Sequence, residues 1–231
     1  MMTLARDIGN AWVMGSWENE FLSWINLNMH GSPFFNYFFY FITILADAGL
    51  IFIIIGLVFL FFKKTRRCGI YILLALLIVA LLGNNLIIKY SFQRARPFYE
   101  ASIEMYGFGS HYRDFVYQIF PESTFLNLGS VPSSYSFVSG HTVAGFTCAT
   151  IVFMYFKKTG IGLYLFATLI GFTRLFFGVH YPTDVIFGAI YATVASLGLY
   201  YLFKYLDPKV VNLFTKLINK IKEKKTSNEN R

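Results

Sequence analysis

Charge is scarce in this sequence. Of its 231 residues only 14% are Asp, Glu, Lys or Arg, against 56% hydrophobic and 20% aromatic. Soluble domains carry charge on about a quarter of their positions, so the shortage excludes an ordinary soluble domain and points to a polytopic membrane protein. Cysteine is scarcer still. Cys68 and Cys148 fall in or beside apolar runs and form no spacing pattern. That argues against a disulfide framework or a zinc site. With only four histidines, no metal constellation is readable, and no metal or other cofactor is expected. The first 30 residues contain Asp7, Glu18 and Glu20 and lack a continuous apolar core, so no cleavable signal peptide is expected. Internal repeats and low-complexity segments are also missing.

What the chain has in quantity is apolar run. Five stand out: Ala48–Phe62 (extended backwards by an aromatic stretch from Phe34), Gly69–Ile88, Ser136–Phe156, Gly160–Val179 and Val185–Phe203. Most are near the length of a tilted bilayer-spanning helix. They do not alternate in polarity as spanning strands do. The expected fold is therefore all-α: a polytopic transmembrane helical bundle of five to six spans. Basic residues orient it. "KKTRR" at 63–67, Lys157 with Lys158, and the tail from Lys204 to Arg231 hold fourteen of the twenty basic residues, and all fit the cytoplasmic side. Three segments are expected: interfacial N-terminal helices over 1–47, with one span there as the alternative; a transmembrane unit over 48–206; and a basic amphipathic cytoplasmic tail over 207–231. The long connection Phe98–Tyr135 reads as an ordered outer loop or lid. With five spans the N-terminus lies outside, with six inside.

Four of the remaining cations gather at the outer ends of the second and fourth runs: Lys89, Arg94, Arg96 and Arg174. In "IIKYSFQRARP", Lys89 and Arg96 are seven residues apart and would share one face of a continuing helix, with Pro97 ending it. Either they snorkel to the interface or they bind an anion. Arg94 either assists them or faces solvent or lipid head groups. In "SFVSGHTVAGF", Ser139, Gly140 and His141 lead into an apolar helix, whose unpaired first-turn amides suit phosphate. A simple N-cap with a chance histidine reads equally well. In "GFTRLFFGVHYPTD", Arg174 lies in the outer part of a run, where an unpaired charge is expensive. Asp184, four residues after His180, can reach one imidazole nitrogen and leave the other as a nucleophile. Pro182 fits the first turn of the next helix. All three pieces fall on the outer side. Together they supply cations for phosphate oxygens, an oriented histidine and a second histidine to protonate a leaving oxygen.

On these residues the sequence resembles the type 2 phosphatidic acid phosphatase family, whose motifs read Lys-x6-Arg-Pro, Pro-Ser-Gly-His and Ser-Arg-x5-His-x3-Asp. The first is complete from Lys89 to Pro97. The second departs at Val138, in place of Pro, and the third at Thr173, in place of Ser. The resemblance covers roughly Gly69 to Phe203. It implies that His180 is a nucleophile forming a phosphohistidine, that Asp184 orients it, and that His141 is the general acid. It further implies that Lys89, Arg96 and Arg174, with Ser139 and Gly140, hold the phosphate, with no metal. The implied fold has its site at the outer membrane interface. The implied activity is hydrolysis of a phosphomonoester or diphosphate on undecaprenyl diphosphate, phosphatidylglycerol phosphate, phosphatidic acid or lipid A. The expected location is a bacterial inner membrane, with lipids rather than nucleic acid as partners. The alternatives are a lipid-linked phosphotransferase using the same phosphohistidine and, from another class, a non-enzymatic transporter or anion-binding membrane protein. Asn84 and Asn85 read as helix–helix hydrogen-bonding residues, Asp47 as interfacial or paired, and His30 and His111 as bland.

Overall fold

The computed structural model describes residues 16–29, 32–97 and 135–229. The expected lid, apart from Tyr135, lies outside the described residues, as do His30, His111 and the side chains of the tail from residue 208.

The described chain is helical. α1 spans Ser16–Met29, α2 Pro33–Leu45, α3 Leu50–Phe61, α4 Arg66–Phe92, α5 Gly140–Tyr155, α6 Lys157–Phe176 and α7 Pro182–Glu229. A 3₁₀ turn at Asp47–Gly49 joins α2 to α3. Pro33 opens α2 and Pro182 opens α7, where a missing N–H costs nothing. Over Leu76–Ile88, α4 takes π-type hydrogen bonding, which is rare beyond a single turn.

The five apolar runs become α3 to α7. Among the described residues, three helices are long and apolar enough to cross a bilayer: Arg66–Phe92, Lys157–Phe176 and Pro182–Asp207. α2 and α3 qualify as a fourth only when taken together, bent by 48°. The aromatic stretch before Ala48 is thus a separate helix. α5, with 16 residues, is shorter and lies at the centre. Its residues from Thr142 to Val152 are almost all buried, as expected of a helix apolar on every side. α7 continues past 207 to Glu229, so the expected boundary there is not a break in the helix. Large apolar side chains face outwards, among them Leu81, Leu86, Leu165, Ile190 and Val194. In water such a surface is costly; against acyl chains it is not.

Alternation of helix direction decides where the site can be. The C-terminal ends of α4 and α6 meet the N-terminal ends of α5 and α7 at one end of the bundle. The opposite end carries Arg66, Arg67, Lys157 and Lys158, with Arg67 paired to Asp207 at 3.4 Å.

The α5–α6 contact is too close for a side chain at Gly145. An added Cβ would lie 2.9 Å from Ala167 Cβ and 3.2 Å from Phe52 Cζ. Gly145→Val therefore overpacks the centre at a cost of about 1–3 kcal/mol. That corresponds to a fall of roughly 2–10 °C in the thermal midpoint in detergent. Gly162→Ala, where nothing lies within 4 Å of the new Cβ, serves as the control with little change.

Candidate active site

α4 stops at Phe92, because Gln93 adopts the left-handed conformation at φ 46°. That is earlier than Pro97, so Lys89 and Arg96 do not share the face of one helix, as their spacing led us to expect. They converge through a third residue. The Tyr135 carbonyl accepts from Lys89 Nζ at 3.1 Å and from Arg96 Nη2 at 3.4 Å. Both side chains are buried. Arg174, also buried, donates to Thr43 Oγ1 of α2 at 2.6 Å.

His180 is delivered by a helix cap. The Val179 amide bonds to Arg174 O (3.1 Å) and the Gly178 amide to Leu175 O (2.9 Å). This pair of bonds is the Schellman motif, with Gly178 at its left-handed position (φ 60°). The turn sends the chain back over the end of α6 and presents His180, 2% exposed, to the cations.

Its tautomer follows from its neighbours. Arg96 Nη1 lies 3.2 Å from His180 Nε2. A guanidinium can only donate, so Nε2 carries a lone pair and Nδ1 carries the proton. Nδ1 faces Ser136 Oγ at 3.3 Å and Asp184 Oδ2 at 3.4 Å. Ser136 in turn donates its hydroxyl to Asp184 Oδ2, which leaves its oxygen free to accept from Nδ1. Burial pushes the His180 pKa well below its ordinary 6.5, and Arg96, Lys89 and Arg174 push it the same way. His180 is therefore neutral at physiological pH.

Asp184 has no exposed surface. Its Oδ2 accepts the Tyr181 amide at 2.9 Å, as an acidic third residue does when it caps its own helix. Its Oδ1 accepts Arg94 Nη1 at 2.7 Å. Arg94 is buried and stacks over the Tyr181 ring, with Cζ 4.0 Å from the centroid. Its Nη2 donates to Glu18 Oε2 at 2.7 Å. Glu18, also without exposed surface, accepts from Thr183 N (3.2 Å) and Thr183 Oγ1 (2.7 Å) through Oε1. One of the two readings of Arg94 falls away here: it does not face solvent or head groups but is committed to two carboxylates. α1, expected at the interface, also sends Glu18 into the site.

His141, on the first turn of α5, has its Nε2 3.7 Å from Asp47 Oδ1, a half-exposed carboxylate of the 3₁₀ turn. The α5 turn is tied to α7: the Ser139 amide donates to Asp184 O at 3.1 Å, and Ser139 Oγ accepts from Thr142 at 3.0 Å. The first intrahelical bond runs from Val143 N to Ser139 O, so the Gly140, His141 and Thr142 amides precede the ladder. A Cβ at Gly140 would sit 3.6 Å from both Asn84 Nδ2 and Asn85 Oδ1. The two asparagines thus lie under this turn and bond to each other at 3.4 Å. The hydroxyl of Thr173 is used within α6, donating to Ile170 O.

All eight residues singled out from sequence therefore meet at one end of the bundle. Four others were not foreseen there: Glu18, Ser136, Asp47 and Thr43. Glu18 had a legible signal, since it lies at i relative to Leu22 (i+4) and Ile25 (i+7), the buried face of α1. Ser136 had none; one serine in "SSYSFVS" looks like another.

Comparison with known proteins addresses the family and the fold. A family model described as the PAP2 superfamily matches residues 68–208. The undecaprenyl-diphosphatase of Sulfolobus acidocaldarius is 30% identical over 131 residues, 56% of this chain and 52% of that protein. The lipid A 4'-phosphatase of Porphyromonas gingivalis is 26% identical over 186 residues, 78% of this chain and 71% of that protein. The chain spans 32%, 52% and 49% of the length of the first three curated relatives it matches. A transmembrane PAP2-type phosphatidylglycerolphosphate phosphatase from Bacillus subtilis superimposes with a TM-score of 0.55 at 23% identity, over 90% of this chain and 94% of that one. The helices of spanning length and the family match over residues 68–208 mark the chain as an integral membrane protein.

The cap before His180 makes a local demand. Gly178→Ala forces an L side chain into the left-handed region, at roughly 1–2 kcal/mol. The expected result is a lowered thermal midpoint in detergent together with reduced turnover, since the same turn aims His180.

Proposed function

The chain belongs to the PAP2 superfamily, and from that premise we propose that it is a metal-independent lipid phosphatase working through a phosphohistidine at His180. The observation that carries the reading is the imidazole itself. It is neutral and buried, its Nε2 lone pair is turned to Arg96, and its Nδ1 proton faces Ser136 and Asp184. A transporter or simple anion site has no use for that orientation.

In the proposed reaction Nε2 attacks phosphorus. The N–P bond forms as the bond to the leaving oxygen breaks, and His141, which enters this step as the imidazolium paired with the bound phosphate, gives that oxygen its proton. His141, now a base, takes a proton from water. The water oxygen attacks phosphorus, the N–P electron pair returns to Nε2, and inorganic phosphate departs. Lys89, Arg96 and Arg174 neutralise the non-bridging oxygens, and the first-turn amides of α5 at Gly140 and His141 complete the cradle. Ser139 contributes by fixing that turn against α7. Among Glu18, Asp47, Asp184, Lys89, Arg94, Arg96 and Arg174, cations outnumber carboxylates by four to three, a surplus suited to an anion.

The substrate class is a lipid phosphomonoester or diphosphate, whose tails stay among the acyl chains while the head group reaches the charged end of the bundle. Undecaprenyl diphosphate is the first to assay, given the name of the Sulfolobus acidocaldarius relative, with phosphatidylglycerol phosphate, phosphatidic acid and lipid A beside it. With the basic ends of α4 and α6 on the cytoplasmic side, the site faces the periplasm or exterior of a bacterial inner membrane. The catalytic unit is residues 48–206 together with α1, α2 and the 3₁₀ turn, followed by the basic tail.

Purified protein in detergent with EDTA is expected to release phosphate from at least one of these lipids. His180→Ala is expected to abolish release, and His141→Ala to slow it by about 10²–10⁴-fold. Release that survives His180→Ala would overturn the reading. His180 acts in its neutral form, and burial lowers its pKa, so protonation removes activity only on the acid side. The acid limb of kcat/KM, which reports the free enzyme, is therefore expected below pH 6.5 and to be assigned by comparing phosphohistidine formation across that range.

A further inference from the structure

The motif residues leave Glu18 unexplained. It is a fully buried carboxylate on a helix far from them in sequence, and it bonds to Arg94 and to both the amide and the hydroxyl of Thr183. One explanation is that it anchors α1. That accounts for the position but not for the charge. A buried carboxylate–guanidinium–carboxylate triad is often no more stable than apolar residues of the same size, and α1 already buries Leu22 and Ile25.

The charge has an account in the reaction. When Nε2 is phosphorylated and Nδ1 keeps its proton, the ring becomes cationic, and Asp184 is the carboxylate beside it. Arg94, 2.7 Å from Asp184 Oδ1, would by itself cancel that carboxylate. Glu18, 2.7 Å from the same guanidinium, offsets Arg94. We infer that Glu18 is a positioning residue for the His180 chemistry: it balances Arg94 and so keeps one net negative charge in the Glu18–Arg94–Asp184 triad behind the ring. The inference rests on His180 being the nucleophile. The groups facing His180 are Lys89, Arg94 and Arg96 from α4 and its extension, Ser136 before α5, and His141 on α5 with Asp47 beyond it. Arg174 of α6 and Asp184 of α7 complete the set. Glu18 acts on His180 through Arg94.

Three variants vary the triad charge. Glu18→Gln brings it to zero, Arg94→Gln to minus two, and the double variant back to minus one. Each is assayed for kcat, KM and the acid limb of kcat/KM, with kcat normalised to the monodisperse folded fraction. Glu18→Gln is expected to lower kcat on the order of tenfold with little change in KM. Its acid limb is expected to move to lower pH, because a cationic ring loses support. Arg94→Gln is expected to move the limb to higher pH, and the double variant to return it towards wild type. Glu18→Asp, which keeps the charge but not the reach, is expected to lie nearer wild type than Glu18→Gln. If packing alone matters, the isosteric Gln is the milder change and the limb stays in place. An unmoved limb in folded Glu18→Gln, or a double variant no better than that single, would overturn the inference. Should Glu18→Gln not fold, the limb of Arg94→Gln must lie above that of the double variant; coincident limbs overturn it. His180→Ala separates the two levels. If it retains release, the nucleophile reading has failed; if it is inactive while the limbs stay fixed, only the role of Glu18 has.

Discussion

The constraint on which the site depends is the burial of Asp184. A carboxylate with no exposed surface is tolerated among apolar helices only when its oxygens are met by donors. The donors of Asp184 come from separate stretches of chain: Arg94 after α4, Ser136 before α5, and the Tyr181 amide and His180 at the head of α7. Satisfying one carboxylate therefore brings three helix ends together. The ring of His180 takes its orientation from the same requirement, since its Nδ1 proton has nowhere better to go.

Helix ends suit this task because they leave backbone groups unused by the helix. In this bundle those groups are spent on the site. The end of α6 is closed by the bonds that turn the chain to His180, the start of α7 is capped by Asp184, and the start of α5 is tied to α7 through Ser139 and the Asp184 carbonyl. Within the membrane such groups must be met by protein. At this end of the bundle they meet one another and leave the first-turn amides of α5 ahead of their ladder.

The electrostatics are arranged in two layers. Lys89, Arg96 and Arg174 are set around His180, and their partners include the Tyr135 and Val179 carbonyls and the Thr43 hydroxyl. Behind the ring, Arg94 is matched by two carboxylates. The first layer is the one proposed to meet an anion, while the charge of the second is balanced within the protein. The same residue type, arginine, thus does opposite things two positions apart.

Much of this was legible in the sequence. Scarce charge and long apolar runs determine a helical membrane bundle, because only helices or closed barrels satisfy the backbone in lipid and the runs do not alternate. The sparse outer charges mark the end of the bundle where the candidate site lies, since a charge near lipid persists only with a purpose or a partner. The partners were not legible. Lys89 and Arg96 converge on a carbonyl 46 and 39 positions away, not on a shared helix face, because Gln93 ends α4 early. Arg94 read as either a helper of the phosphate cations or a surface cation, yet it is matched by Glu18, 76 positions earlier, and by Asp184, 90 positions later. Periodicity and spacing describe what lies within a turn or two of a residue. Which buried charge meets which is decided when distant helix ends pack, and only the tertiary structure carries that.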